Sequence, residues 1–172
     1  MNRARRLFVL LPAVLASGCG FKLRGAPDWP SELDPIYISG LGVRDSLYLM
    51  LVQNLRAAGA EVLGARSPEA AELRVLSLRD DRRVLSVTGA ARVSEYELVR
   101  VLDTELRLPG EAEPLPLGRL EASRIYVFDA ASVLTRSERE EELAQAMNRD
   151  LVRMLALRVQ AAMRGRHGGA DD

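Results

Sequence analysis

Arg92–Leu108, RVSEYELVRVLDTELRL, alternates more cleanly than any other stretch of this chain. Its even positions hold Tyr96, Leu98, Leu102, Leu106 and Leu108, while Glu95, Glu97, Asp103, Glu105 and Arg107 occupy odd ones. A period of two with one polar face predicts a strand in an antiparallel sheet that is covered on one side only. At the usual rise per residue such a strand spans more than about 50 Å, so a bulge or a frayed end is expected.

Reading outward from it, LPGEAEPLP is a turn, and Leu117–Phe128 is the last strand. Upstream, ELRVLSLRDDR predicts a strand over 72–82, and PIYIS, with Ile36 and Ile38 on one face, a shorter one. Between these two, Leu47, Leu51, Leu55 and Ala58 make one apolar stripe, which predicts a helix over 43–58 stopped by Gly59. AEVLG after it has room for a brief further strand. The chain closes on a long helix, with Leu143, Met147, Leu151, Met154 and Leu155 as its stripe and Gly165 as its stop. Ser137 and Glu140 fit a capping box at its start, and Glu138, Glu140, Glu141 and Glu142 suit the positive end of the helix dipole. The order β-α-β-β-β-α predicts a two-layer α+β domain: a four-stranded, mainly antiparallel sheet with two helices packed on one face.

The N-terminus is different in kind. Arg3, Arg5 and Arg6 precede the apolar run Leu7–Ala16, and small residues Ser17 and Gly18 follow. Basic, apolar, then small is the order of an export signal, and the run is too short to span a bilayer. The chain's single cysteine, Cys19, sits at the seam. An odd cysteine in an exported protein calls for a role other than an internal disulfide. ASGC resembles the processing site of bacterial lipoproteins, which implies cleavage before Cys19 and a diacylglycerol and an N-acyl lipid on that residue. Gly20, in place of an aspartate, points to the outer membrane. The predicted organisation is a signal peptide at 1–18, the lipidated cysteine and a tether at 19–35, a single domain at 36–165 and a disordered tail at 166–172. Trp29, in the proline-rich APDWPSELDP, has two possible places, the lipid interface or the domain surface.

Composition narrows the function. The full chain balances 24 basic against 24 acidic residues, and loss of the three leader arginines leaves the mature chain at about −3. That is no balance for nucleic acid, so any anion site is a local cluster. The chain's one histidine, His167, lies in the tail and its one cysteine is the anchor, so neither a nucleophile–histidine set nor metal-ligand spacing can be assembled. No catalytic residues, cofactor or metal are expected. The arginines Arg79, Arg82, Arg83 and Arg92 gather around the connection between the second and third long strands counted from PIYIS, and Arg136 lies just before the last helix. Arginine beside free helix N–H groups suits phosphate, and the same residues at loop ends also serve solubility.

GCGFKLRG at 18–25, SEYEL with Glu95 and Tyr96, LPG at 108–110, the β-α-β-β-β-α order and the basic residue before the last helix together resemble the LPS-assembly lipoprotein LptE family. The resemblance covers nearly the whole mature chain. It implies a lipid-anchored outer-membrane protein that plugs the barrel protein LptD, assists the barrel's assembly and binds lipopolysaccharide. It also implies basic residues near the turn between strands two and three and before the last helix in that binding, with Arg136, Arg92, Arg82 and Arg83 as candidates. Two other readings stand beside it: a scaffold for the barrel that makes no lipopolysaccharide contact, and a carboxylate-based cell-wall hydrolase using Asp80 or Asp81.

Overall fold

The computed structural model describes residues 29–87, 93–127 and 133–168. After a short 3₁₀ turn at Ser31–Leu33, its elements are β1 (Ile36–Ser39), α1 (Ser46–Ala57), β2 (Val62–Leu63), β3 (Ala71–Val87), β4 (Val93–Arg107), β5 (Leu115–Val127) and α2 (Val133–Gly168). The fold is mixed α+β, with the two helices on one face of a single sheet.

That sheet has five strands, in the order β2-β1-β3-β4-β5, and not four. The fifth is β2, two residues long, which pairs parallel with β1. It falls within AEVLG, where a brief strand had room, and the helix crossover sets its direction: a helix between neighbouring strands sends the second back parallel to the first. β1 also runs parallel to β3, whereas β3, β4 and β5 form the expected antiparallel meander.

The expected irregularity falls on the long strand at Ser94, near its start, and also on its neighbours. β4 keeps an unbroken register from Glu95 to Leu106, while β3 slips at Leu76 and near Leu85, and β5 slips at Leu117. Each slip changes which residues face the helices. Val75 and Leu78 both pack on the core although they are three apart, because Leu76 bulges out and is 56% exposed. Leu117 and Leu120, again three apart, are both buried, and Gly118 beside the bulge holds the positive φ of 75° it requires.

Helix ends differ from the pattern in the sequence for local reasons. α1 starts at Ser46, because the Asp45 carboxylate accepts a hydrogen bond from the Leu47 N–H (2.7 Å) and caps it there. α2 starts at Val133, so Ser137 is already its fifth residue and the Ser137–Glu140 capping box is not formed. It continues to Gly168, three residues beyond the glycine stop expected at Gly165. A helical glycine costs only about 1 kcal/mol against alanine, too little to end a helix that is packed along its length.

Leu47, Leu51 and Leu55 of α1 and Met147, Leu151, Leu155, Val159 and Met163 of α2 are buried with Ile36, Ile38, Leu73, Leu102, Leu106 and Leu120 from the sheet. Burying one such side chain contributes roughly 1.5–3 kcal/mol. Core packing begins before β1: Leu33 is fully buried, and Trp29 lies against the same cluster. On the uncovered face Val99 and Val101 of β4 are also buried, while Ile125 (61% exposed) and Val127 (72%) stand open on the edge strand β5.

Candidate functional site

The strand ends far from β1 carry the arginines singled out in the sequence. β3 runs on to Val87, so Arg82 and Arg83 lie within the strand and not in the connection after it. Successive residues of a strand point to opposite faces, and the two side chains are therefore separated. Arg83 pairs with Glu97 of β4 (3.5 Å) on the face away from the helices. Arg82 points the other way. Its guanidinium stands 5.2 Å from the centre of the Tyr96 ring, and Tyr96 stacks on Tyr126 with centroids 5.7 Å apart. The Tyr126 hydroxyl donates to Glu140 Oε1 (2.6 Å), and Arg82 Nη1 reaches the same oxygen at 3.3 Å. Three strands are thus clamped to the start of α2 by one aromatic pair, one cation and one carboxylate.

Arg136 is not ahead of the last helix: it is the fourth residue of α2, one turn before Glu140. The fold therefore brings Arg82 to the end of α2 that holds Arg136, and leaves Arg83 on the far side of the sheet. Arg92 and Cys19 lie outside the described residues.

Below this tip a cleft of about 260 Å³ opens between the sheet and α2, lined among others by Asp80, Leu98, Arg100, Glu140 and Met147. Arg100 spans it. Its Nε and Nη2 donate to the two oxygens of Asp80, each at 2.6 Å, and its Nη1 donates to Asn148 Oδ1 at 2.7 Å. Asn148, wholly buried in α2, donates in turn to the Ser46 hydroxyl at the start of α1 (2.9 Å). The hydrogen bond to Asp80 is the largest cause of a raised Arg100 pKa, opposed by burial, so the guanidinium stays charged. Asp80 and Asp81 alternate across β3, and Asp80 is gripped by a bidentate partner. A carboxylate pair converging on one bond, as a hydrolase needs, is not formed by these two. Among the described residues no group of three or more His, Cys, Asp or Glu is placed to hold a metal, and no helix is long and apolar enough to cross a membrane.

Arg100, Asn148 and the tyrosine pair are what the sequence pattern passes over. Asn148 carried a signal, a lone amide beside Met147 within the apolar stripe of α2; Arg100 carried none beyond being the one charge at an even, core-facing position of its strand.

Comparison with known proteins follows the same chain of elements. The family model described as LptE, Lipopolysaccharide-assembly, matches residues 33–159. A protein of Pectobacterium atrosepticum named LPS-assembly lipoprotein LptE is 28% identical over 158 residues, covering 86% of this chain and 85% of that one. One of the same name from Photorhabdus laumondii is 24% identical over 155 residues, covering 90% and 84%. Among solved structures, the rare lipoprotein B of Shewanella oneidensis superposes with a TM-score of 0.62 at 22% identity, over 81% of this chain and 100% of that chain. The solution structure of an uncharacterized lipoprotein B of Nitrosomonas europaea gives 0.63 at 27% identity, over 80% and 88%.

Proposed function

Because this chain belongs to the LptE family of lipopolysaccharide-assembly proteins, we propose that it is an outer-membrane lipoprotein that binds lipopolysaccharide and plugs the barrel protein LptD, assisting the barrel's assembly and the insertion of lipopolysaccharide at the cell surface. The carrying observation is the family match over residues 33–159, which takes in every strand and most of α2. In this reading residues 1–18 are removed and lipid on Cys19 holds the chain at the periplasmic leaflet. Two or more acyl chains are what stable anchoring takes. It turns over no substrate.

The architecture supports a plug. Wide barrels have polar lumens, and the uncovered sheet face presents ion pairs such as Arg83–Glu97 and Arg79–Asp103 around a narrow apolar centre. Lipopolysaccharide binding is assigned to the tip, where Arg82 and Arg136 share one end of α2 and Arg92 is close in sequence. Arg82 is paired with Glu140, so a phosphate there displaces a carboxylate or shares its cation. That pairing is the observation that favours the second reading, a scaffold without glycolipid contact.

The test is a pull-down from solubilised outer membranes with a C-terminally tagged chain, as native Cys19, as Cys19→Ser behind an ordinary cleavable signal, and as Arg136→Ala. Both Cys19 forms should recover one large barrel protein with bound lipopolysaccharide, and Arg136→Ala should recover the barrel with several-fold less glycolipid. Recovery of no barrel by any form overturns the proposal; undiminished glycolipid in Arg136→Ala leaves the scaffold reading.

A further inference from the structure

The clamp at the tip has the parts of an anion site, with the anion supplied by the chain itself. Arg82 lies over the face of Tyr96, which stacks on Tyr126, so its guanidinium has a fixed seat. Tyr126 is only 7% exposed, and its buried hydroxyl calls for an acceptor. Glu140 Oε1 serves both groups: it accepts from the Tyr126 hydroxyl at 2.6 Å and from Arg82 Nη1 at 3.3 Å. A phosphate oxygen is met by the same pair, a planar cation and a hydroxyl donor.

The contact can be exchanged. Both partners face water, the Arg82 side chain 44% exposed and that of Glu140 32%, so another anion reaches them without opening the core. The grip is also loose. Arg82 offers Glu140 one nitrogen at 3.3 Å, whereas Arg100 holds Asp80 with two at 2.6 Å each. A second cation adjoins the seat in the chain: Arg136 precedes Glu140 by four residues, one turn of α2. An anion arriving at Arg82 meets the carboxylates that line the cleft below, Glu140 and Glu141 on α2 and Asp80 across from them. Of these, Glu140 occupies the place that the anion needs.

We propose, on the reading that lipopolysaccharide binds at this tip, that Glu140 is a built-in competitor for the glycolipid's phosphate. Its carboxylate holds the phosphate's place on Arg82 and Tyr126, and lipopolysaccharide binds by exchanging with it. Such an exchange regulates the site in a way that suits a protein passing its ligand on. A transfer site must bind well enough to load and weakly enough to unload. As the phosphate leaves, Glu140 returns to Arg82 and Tyr126, so neither the cation nor the buried hydroxyl is left unmet. The carboxylate thereby shortens the residence of the ligand, and the clamp between the sheet and α2 closes again behind it.

The experiment measures the binding and release of lipopolysaccharide by the mature chain carrying Cys19→Ser. The same chain is then tested with Glu140→Gln, Glu141→Gln, Arg82→Gln, or Glu140→Gln and Arg82→Gln together. Glutamine keeps an acceptor for the Tyr126 hydroxyl and removes the charge that competes. Glu140→Gln should bind about five-fold tighter, the scale of one part-exposed ion pair no longer displaced, and most of the gain should lie in slower release. Arg82→Gln should bind several-fold weaker, and Glu140→Gln should add nothing in that background. Lipopolysaccharide stripped of its phosphates should show no gain. Glu141→Gln removes an equal charge one residue along and should stay within about two-fold of the parent, since an exposed charge off the site is screened. Glu140→Asp, which draws the carboxylate back from Arg82, should show part of the gain and carries the test if circular dichroism finds the glutamine variant unfolded. Unchanged or weaker binding by both Glu140 variants, an equal gain in Glu141→Gln, or a gain that survives the loss of Arg82 or of the phosphates overturns the proposal. The parent chain reads the premise separately: no lipopolysaccharide binding by it or by any variant removes the tip site and this inference with it, whereas binding indifferent to Glu140 removes only the competitor.

Discussion

At Gly40 the chain has no room for a side chain. A Cβ built there would stand 2.0 Å from the Val75 carbonyl oxygen, and its φ of 85° is one that L-residues seldom adopt. The contact is backbone on backbone, next to the Leu76 bulge, so nothing flexible can give way. Gly40→Ala is expected to cost about 3 kcal/mol, as a fall in the urea midpoint at constant slope. Thr104 makes the opposite case. Its hydroxyl is buried in β4 with no hydrogen-bond partner among the described residues, and an unmet polar group of that kind costs roughly 1–3 kcal/mol. Thr104→Val, which keeps the shape, should raise the melting temperature by a few degrees. Arg82 shows the limit of reading residues singly. Its charge and its place near a turn suggested a free cation, but its partner Glu140 is 58 residues away and is met only through the fold.

Elements were legible where a period persists. β4 carries its alternation over most of its length, and both helical stripes proved to be the buried faces: Leu47, Leu51 and Leu55 in α1, and Met147, Leu151 and Leu155 in α2. The brief strand that AEVLG left room for is β2, but neither its pairing nor the positions of the bulges were legible, for a physical reason. A two-residue strand has no period, and a bulge changes parity by reference to a neighbouring strand that the local sequence does not contain. β3 shows the consequence. Its core residues are Leu73 and Val75 before the slip and Leu78 after it, a break that looks like noise in an alternating pattern. Deleting Leu76 should therefore be tolerated, because Val75–Thr104 and Ser77–Asp103 are already consecutive pairs and both halves keep their faces, whereas deleting Arg79 should abolish soluble expression by turning one half of β3 inside out. Leu76→Gln, at an exposed position, should change stability by less than about 0.5 kcal/mol. The start of α2 belongs to the same scale: Ser137 and Glu140 have the right spacing for a cap, but the helix already extends past them toward Val133, which carries Arg136 into its first turn.

Across the described residues, two layers are joined by apolar packing and by polar contacts, among them a line, Asp80–Arg100–Asn148–Ser46, which runs from β3 through β4 and α2 to α1. Asn148→Ala strips Arg100 Nη1 of its partner and should cost about 2 kcal/mol by chemical denaturation. A line of this kind fixes how far each helix can slide along the sheet, something the aliphatic stripes alone specify loosely. The sheet itself ends unevenly. One border is the two-residue β2; the other is β5, thirteen residues long. Pro116 and the bulge at Leu117 interrupt the first part of that border, and Arg119 and Glu121 add charge to it. From Ala122 to Val127 the one charge is Arg124, which is drawn to Asp150 of α2, and Ile125 and Val127 face solvent. An unguarded border of that length is a template on which another chain can crystallise into fibres or amorphous precipitate. Concentrated protein waiting without a binding partner should accordingly cloud on standing, with growing thioflavin fluorescence, and Ile125→Lys should keep it clear. Storage life thus becomes a property of six residues at one margin of the fold, and the hazard is greatest in the interval between folding and capture.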